Sequence, residues 1–272
     1  MNDIAAARAR LSPDEVARYR AEGYVIPRWC LAPAKLAFLR AALDRLLADN
    51  PTIRPEKLIS AHIRKGPENT RGNDAFLEFA HDRDLLDIVE QVLGPDIILW
   101  GCQVFCKPAG DGMEVPMHQD GRYWPIRPLA TCTAWIAIDD SRPENGCMRV
   151  IPGSHRQGHV YEHRKDTRPD LALDLVLEDG QLDPAAARDV ELEAGQFSLH
   201  DVYLVHGSNR NRSTKRRAGV AIRYMPATSR FDRTLLQRQT RNEGYVVDFT
   251  TRPIWLVRGR DRAGNDFRVG KG

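Results

Sequence analysis

Apolar residues follow a helical rhythm in the first third of the chain and a shorter, strand-like rhythm in the rest. Ser12-Pro13-Asp14-Glu15 reads as a helix start. The serine can cap the first turn, Glu15 can reach back to it, and Pro13 suits the first helical position, while Gly23 supplies a stop. Leu36, Leu39, Leu43 and Leu46 predict a second amphipathic helix that ends before Pro51. Leu85, Ile88, Val89, Val92 and Leu93 predict a third, closed by Gly94-Pro95. Residues 52–79 are polar with scattered Gly and Pro, and are expected to form a long irregular segment of the lid or binding-loop kind.

From residue 97 the runs shorten. Residues 97–105, 131–138, 147–151, 196–205 and 218–225 are apolar or alternating and are bounded by Gly, Pro, Asn or Asp, the pattern of a β-sandwich or barrel. Residues 157–187 are charged and irregular, and are expected as an insertion over the barrel mouth. Neither a repeat nor a low-complexity linker interrupts the chain, so one domain over 1–272 is predicted, with N-terminal helices (1–95) packing on a β core (96–272). The fold class is mainly β with flanking helices (α+β).

Composition narrows the function classes. Hydrophobic residues at 42% and charged residues at 28% are ordinary for a soluble globular protein. The net charge of +3 is spread along the chain and gives no reason to expect nucleic acid or an acidic membrane surface as partner. No apolar stretch is long enough to span a bilayer, and residues 1–10 lack the features of a signal peptide, so a cytoplasmic location is expected. Five cysteines in no framework spacing argue against disulfides, and Cys102 and Cys106, on one strand face, are expected as buried thiols.

The candidate chemistry centres on His118-Gln119-Asp120, the one His-x-Asp in the chain. Positions two apart on a strand point to the same side, so imidazole and carboxylate can share an ion. His206 follows the apolar run Val202-Tyr203-Leu204-Val205 and precedes Gly207, which suits a third ligand at a barrel mouth. Two histidines and one carboxylate leave three metal positions open, the signature of non-haem iron(II) oxygenases. Zinc accepts the same ligands, so a zinc hydrolase is a rival, as is a non-catalytic cupin-like binding protein. Arg217 begins a further strand-like run, where its planar fork could grip the far carboxylate of a diacid beside the metal. Arg216 would face the other way, and Arg223 shares the parity of Arg217 and is the fallback. The remaining basic run, Arg210, Arg212 and Lys215, reads as a solvated loop.

Taken together, the motifs resemble the phytanoyl-CoA dioxygenase family of iron(II)/2-oxoglutarate-dependent oxygenases over nearly the whole chain. They are Glu22-Gly23-Tyr24-Val25, Lys107-Pro108, the block from His118 to Pro125, Thr133-Ala134-Trp135, Glu144-Asn145-Gly146-Cys147, Pro152-Gly153-Ser154-His155, and His206-Gly207-Ser208 with Arg217. The resemblance implies a double-stranded β-helix (jelly-roll, cupin-like) core with Fe(II) held by His118, Asp120 and His206. It also implies that Arg217 and Ser208 hold the distal carboxylate of 2-oxoglutarate, with Lys107 and Trp135 close to that cosubstrate. With O2 as the third reactant, the implied activity is hydroxylation of an unactivated C–H bond of a small organic metabolite, releasing succinate and CO2. Desaturation, epoxidation or cyclisation would use the same ligands. In related halogenating enzymes a small residue replaces the carboxylate, so Asp120 favours oxygen transfer. Gln103, Phe105, Tyr123 and Trp124 are candidate substrate contacts. Of the other histidines, His155 is expected to shape a turn and His200 to make a strand-edge hydrogen bond; His62 and His81 fall in helical or loop context, with His62 expected to be exposed or, as the alternative, to contact substrate from a lid with Arg64 and Lys65. Trp255 is expected to fill a hydrophobic gap.

Overall fold

A computed structural model describes residues 9–66, 69–122, 124–235, 239–240 and 246–269. Four helices come first: α1 (Pro13–Glu22), α2 (Pro33–Asp49), α3 (Asp74–Ala80) and α4 (Arg83–Leu93). The capping box of α1 is formed, with Glu15 N donating to Ser12 Oγ at 3.2 Å and Ser12 N donating to Glu15 Oε2 at 2.6 Å. Gly23 ends the helix at φ +82°, a left-handed conformation that costs glycine little.

Eleven strands then build two antiparallel sheets. The larger contains β1 (Tyr24–Val25), β2 (Leu58–Ile59), β3 (Ile97–Lys107), β5 (Cys132–Ala137), β8 (Phe197–Asp201), β10 (Arg217–Pro226) and β11 (Trp255–Arg258). Its order is β1-β8-β5-β10-β3-β11, with β2 also pairing β3. The smaller has β4 (Val115–His118), β6 (Met148–Val150), β7 (Arg188–Val190) and β9 (His206–Ser208), in the order β7-β6-β9-β4. This is the double-stranded β-helix architecture, mainly β with flanking helices.

Strand periodicity divides the larger sheet into two faces with different tasks. Cys102, Val104 and Cys106 of β3, Ala134 and Ile136 of β5, and Val220, Ile222 and Tyr224 of β10 pack with the helices in one apolar cluster. The alternate residues turn toward the smaller sheet, where Trp135, Ala137 and Ala221 meet Met148 and Val150. A register shift at Arg223/Tyr224 breaks the strict alternation, so that Leu99 joins the helix-side cluster while Trp100 joins a cluster with Trp124. The cysteines are free, and Cys102 and Cys106 are buried.

Three expectations are corrected here. Residues 52–79 are not irregular throughout, since they contain β2 and α3, which bury Leu58, Phe76 and Phe79 in the main core. The run 196–205 is not one strand. Asp201 Oδ1 accepts from Tyr203 N at 2.8 Å and turns the chain, so β8 ends at Asp201 in the larger sheet and residues 202–205 lead across to β9 in the smaller. His62 is not exposed: it is buried edge-on against Trp255, with ring centroids 5.1 Å apart. The segment 157–187 includes a ribbon pairing His163–Lys165 with Leu175–Leu177. Among the described residues no helix is long and apolar enough to cross a membrane.

Candidate metal and cosubstrate site

β4 and β9 pair with His206 directly opposite His118, and the ring centroids lie 4.4 Å apart. Asp120 opens the short turn Asp120–Arg122 that follows β4. Its Oδ1 lies 3.7 Å from His118 Nε2 and its Oδ2 lies 4.0 Å from His206 Nε2. The three ligand atoms stand within 4.8 Å of one another, close enough to share one ion, and all three residues are buried. Gly207 makes this approach possible: a Cβ there would stand 2.7 Å from Val115 O.

Local hydrogen bonds orient both rings. His118 Nδ1 bonds Pro116 O at 2.9 Å and His206 Nδ1 bonds Leu204 O at 3.0 Å. Each Nδ1 therefore donates to a backbone carbonyl, which leaves each Nε2 turned toward the carboxylate. Burial, then the neighbouring His118, pushes the His206 imidazole down to about 3, which keeps it neutral. Burial opposes the charged form of Asp120, but the His118 and His200 imidazoles, with His206 and Arg223 beyond, hold its carboxyl well below the usual range. A neutral His206 imidazole, the His118 imidazole beside it and an ionised carboxylate on one side of a buried point fit a divalent metal such as Fe(II).

A pair of basic residues lies beyond the triad. β10 sets Arg217 directly opposite Lys107 of β3. The Arg217 guanidinium sits 5.3 Å from the centroid of the Trp135 ring, and its Nε is buried without a hydrogen-bond partner. Trp135 itself covers Gly219, where a Cβ would meet its ring at 2.2 Å. Burial lowers Arg217 to about 10; burial and then Arg217 lower Lys107 to about 6. Lys107 Nζ donates to Asn209 O and, at 3.4 Å, to Ser208 O. A buried guanidinium beside an amine that burial leaves without its proton near neutral pH suits a dianion such as 2-oxoglutarate, whose charge would favour protonating the lysine again.

His118, Asp120, His206, Ser208, Trp135 and Arg217 line one cavity of about 810 Å³, counting space open to solvent, and Gln103, Phe105 and Trp124 line it too. Lys107 is not part of that lining and stands beside Arg217. Tyr123 lies outside the described residues. Arg216 faces outward as expected, pairing with Asp139 at 2.8 Å. His155 bonds Arg20 O at 3.1 Å and so ties its turn to α1.

His200 departs from expectation. It makes no side-chain hydrogen bond, lines the cavity, and places Nε2 3.9 Å from Asp120 Oδ2. Its immediate neighbour Asp201 pointed to a strand edge, whereas parity with Ser198 on the inner face was the available signal. Arg252 and Phe249 also reach the cavity, from a C-terminal segment with no local motif to announce them.

Comparison with known proteins agrees with this arrangement. Residues 19–219 match the profile of the phytanoyl-CoA dioxygenase (PhyH) family. A probable alpha-ketoglutarate-dependent hypophosphite dioxygenase of Stutzerimonas stutzeri is 32% identical over 57% of this chain, and the match spans 54% of that protein. The non-haem monooxygenase ThoJ superposes with a TM-score of 0.70 at 25% identity, covering 95% of this chain and 89% of ThoJ. The non-haem alpha-ketoglutarate-dependent carbocyclase SnoK from nogalamycin biosynthesis gives 0.63 at 26% identity, covering 81% and 86%. With the family profile spanning most of its length, the chain belongs to the phytanoyl-CoA dioxygenase family of iron(II)- and 2-oxoglutarate-dependent oxygenases.

Proposed function

We propose that the protein hydroxylates an unactivated C–H bond of a small organic metabolite, with 2-oxoglutarate and O2 as cosubstrates and succinate and CO2 as coproducts. The observation that carries this reading is the meeting of the buried His118–Asp120–His206 triad with Arg217 in one cavity. His118, Asp120 and His206 would hold Fe(II), and bound iron supplies the oxidative chemistry. Arg217 and Ser208 would hold the distal carboxylate of 2-oxoglutarate, with Lys107 adding positive charge behind them and Trp135 fixing the guanidinium plane. Gln103, Phe105 and Trp124 would shape the substrate side. The protein's own contribution is to orient the reactants around the triad. A zinc hydrolase would have no use for the Lys107–Arg217 pair.

In this reading the chain works as one domain, because a single apolar cluster joins the helices to the larger sheet. The free cysteines suit a cytoplasmic location, and the small net charge favours a small-molecule substrate over nucleic acid.

The test is anaerobic addition of Fe(II) and 2-oxoglutarate, followed by admission of oxygen and assay of succinate. Metal-dependent succinate is expected from the unaltered protein and none from His206→Ala, which should also lose metal binding by calorimetry. Succinate formation unchanged in that variant would remove the triad from the mechanism. The likeness to SnoK favours ring closure as a second outcome. Product mass separates the two, because hydroxylation adds one oxygen atom whereas oxidative ring closure removes two hydrogens.

A further inference from the structure

The cavity has a second cationic end. Arg223 stands six positions beyond Arg217 on β10, and at about 3.3 Å per residue the two side chains leave the strand roughly 20 Å apart. That exceeds the length of a five-carbon diacid, so one cosubstrate anchored on Arg217 does not span to Arg223. Across the sheet, Arg223 pairs with Thr133, and Thr133 pairs with His200, whose Nε2 lies 3.9 Å from Asp120 Oδ2. Arg223 therefore marks the Asp120 side of the chamber.

Its guanidinium is buried and held in place. Both terminal nitrogens donate to Gln103 Oε1 at 3.2 Å, and the guanidinium carbon lies 5.2 Å from the Trp124 ring centroid and 5.9 Å from that of Trp100. Arg252 arrives from the C-terminal segment. Its Nη1 and the Cβ of Arg223 both come within 3.8 Å of the point where a side chain on Gly101 would begin, so the two arginines are neighbours. Its guanidinium carbon lies 4.7 Å from the Phe249 ring centroid, and the residue is 3% exposed. Among the described residues, the charged side chains lining the cavity are three guanidiniums (Arg217, Arg223 and Arg252) and one carboxylate, Asp120.

On the function proposed above, Asp120 serves the metal and Arg217 serves the cosubstrate. Arg223 and Arg252 line the opposite end of the same cavity. A planar guanidinium presents five donors in a fork that matches the oxygens of a carboxylate or phosphonate, and stacking on indole pre-orders it for that geometry. We propose that Arg223 and Arg252 form an anion subsite at the end of the cavity remote from Arg217, and that the substrate is a small molecule with an apolar body ending in a carboxylate or phosphonate. The apolar body would rest on Trp100, Trp124 and Ile59, with the reacting carbon near the triad. The assignment of this end to substrate rests on the proposed oxygenase reading, whereas anion binding by the two arginines does not.

The test uses protein loaded with Ni(II) and saturating 2-oxoglutarate, so that no turnover occurs. Calorimetry measures binding of phenylacetate, phenylphosphonate and the neutral phenylacetamide. The anions are expected to bind about tenfold or more tightly than the amide, and Arg223→Gln and Arg252→Gln should each erase most of that preference. The 2-oxoglutarate affinity of these variants should stay within about twofold, in keeping with independent sites. The tighter of the two anions identifies the head group. Equal binding of anion and amide, or no binding of any probe, would overturn the proposal, and neither result depends on a variant folding. If Ni(II) and 2-oxoglutarate fail to bind, the oxygenase reading fails separately. The same probes are then titrated into metal-free protein, where the anion preference must still depend on Arg223. Loss of that preference in Arg217→Ala, with Arg223→Gln unaffected, would place the anion at the other end and sink the subsite.

Discussion

At the scale of single residues, Lys107 and Arg217 stand opposite one another on neighbouring strands, and burial pushes the pKa of both down. The Lys107 ammonium is pushed from the usual 10.5 down to about 6, first by burial and then by Arg217. Between those values the unfolded chain holds a proton that the folded, cosubstrate-free protein does not. Stability therefore rises with pH across that window, and the whole penalty is present below about 6. Lys107→Met is expected to flatten this slope, as read from denaturant melts of the metal-free protein at about pH 6.5 and about pH 8.5. An unchanged slope would clear Lys107 as its source. Arg217→Ala tests the proposed diacid clamp directly. It should weaken 2-oxoglutarate binding by about tenfold or more while leaving metal affinity intact, since it removes a charge-assisted fork and no metal ligand.

At the scale of elements, the residue between two candidate ligands ties the insertion to the metal turn. Gln119 Nε2 donates to His159 O at 3.1 Å and to Tyr203 O at 2.6 Å, and its Oε1 accepts from Tyr161 N at 2.6 Å. Its backbone N–H donates to His163 Nε2 at 3.1 Å, so one position is bound from both sides. The side chain is fully buried, and Leu173, within the same insertion, lines the cavity. The segment 157–187 is thus pinned at the mouth by Gln119, while His118 and Asp120 on either side point inward. Gln119→Leu leaves three backbone groups unmet and should cost about 2–5 kcal/mol. Limited proteolysis should then cut first within 157–187; a cleavage pattern identical to that of the unaltered protein would show that other contacts hold the insertion.

At the scale of the whole molecule, the larger sheet separates stability from chemistry by face. Its outer face carries the helices. Tyr224 reaches through this layer to donate its hydroxyl to Ala80 O at 2.8 Å, and Arg258 of β11 pairs with Asp87 of α4 at 2.7 Å. The inner face carries Trp135, Arg217 and Arg223. Tyr224→Phe removes one buried hydrogen bond, so a loss of about 1 kcal/mol is expected in global unfolding. The 2-oxoglutarate affinity, measured by calorimetry, should not move. A fall in affinity would mean that helix docking and the cavity are coupled through the sheet.

What the sequence determined by itself is whatever a few neighbouring residues decide. The capping box of α1 needs only Ser12 and Glu15, and the inward aim of Arg217 against the outward aim of Arg216 needs only strand parity. The motif residues His118, Asp120 and His206 were legible because spacing and order carry them, and the structure brings them together. α3 escaped notice because Phe76 and Phe79 sit in a polar stretch and become helical by docking on the core. The split of 196–205 turned on one Asp201 contact that periodicity does not see. His62, His200 and Arg252 gained their surroundings from partners distant in the chain: Trp255 for the first, Asp120 for the second, Gly101 and Arg223 for the third. Tertiary structure alone decided those positions, because burial and charge are properties of the space around a side chain, and that space is filled by residues from other strands.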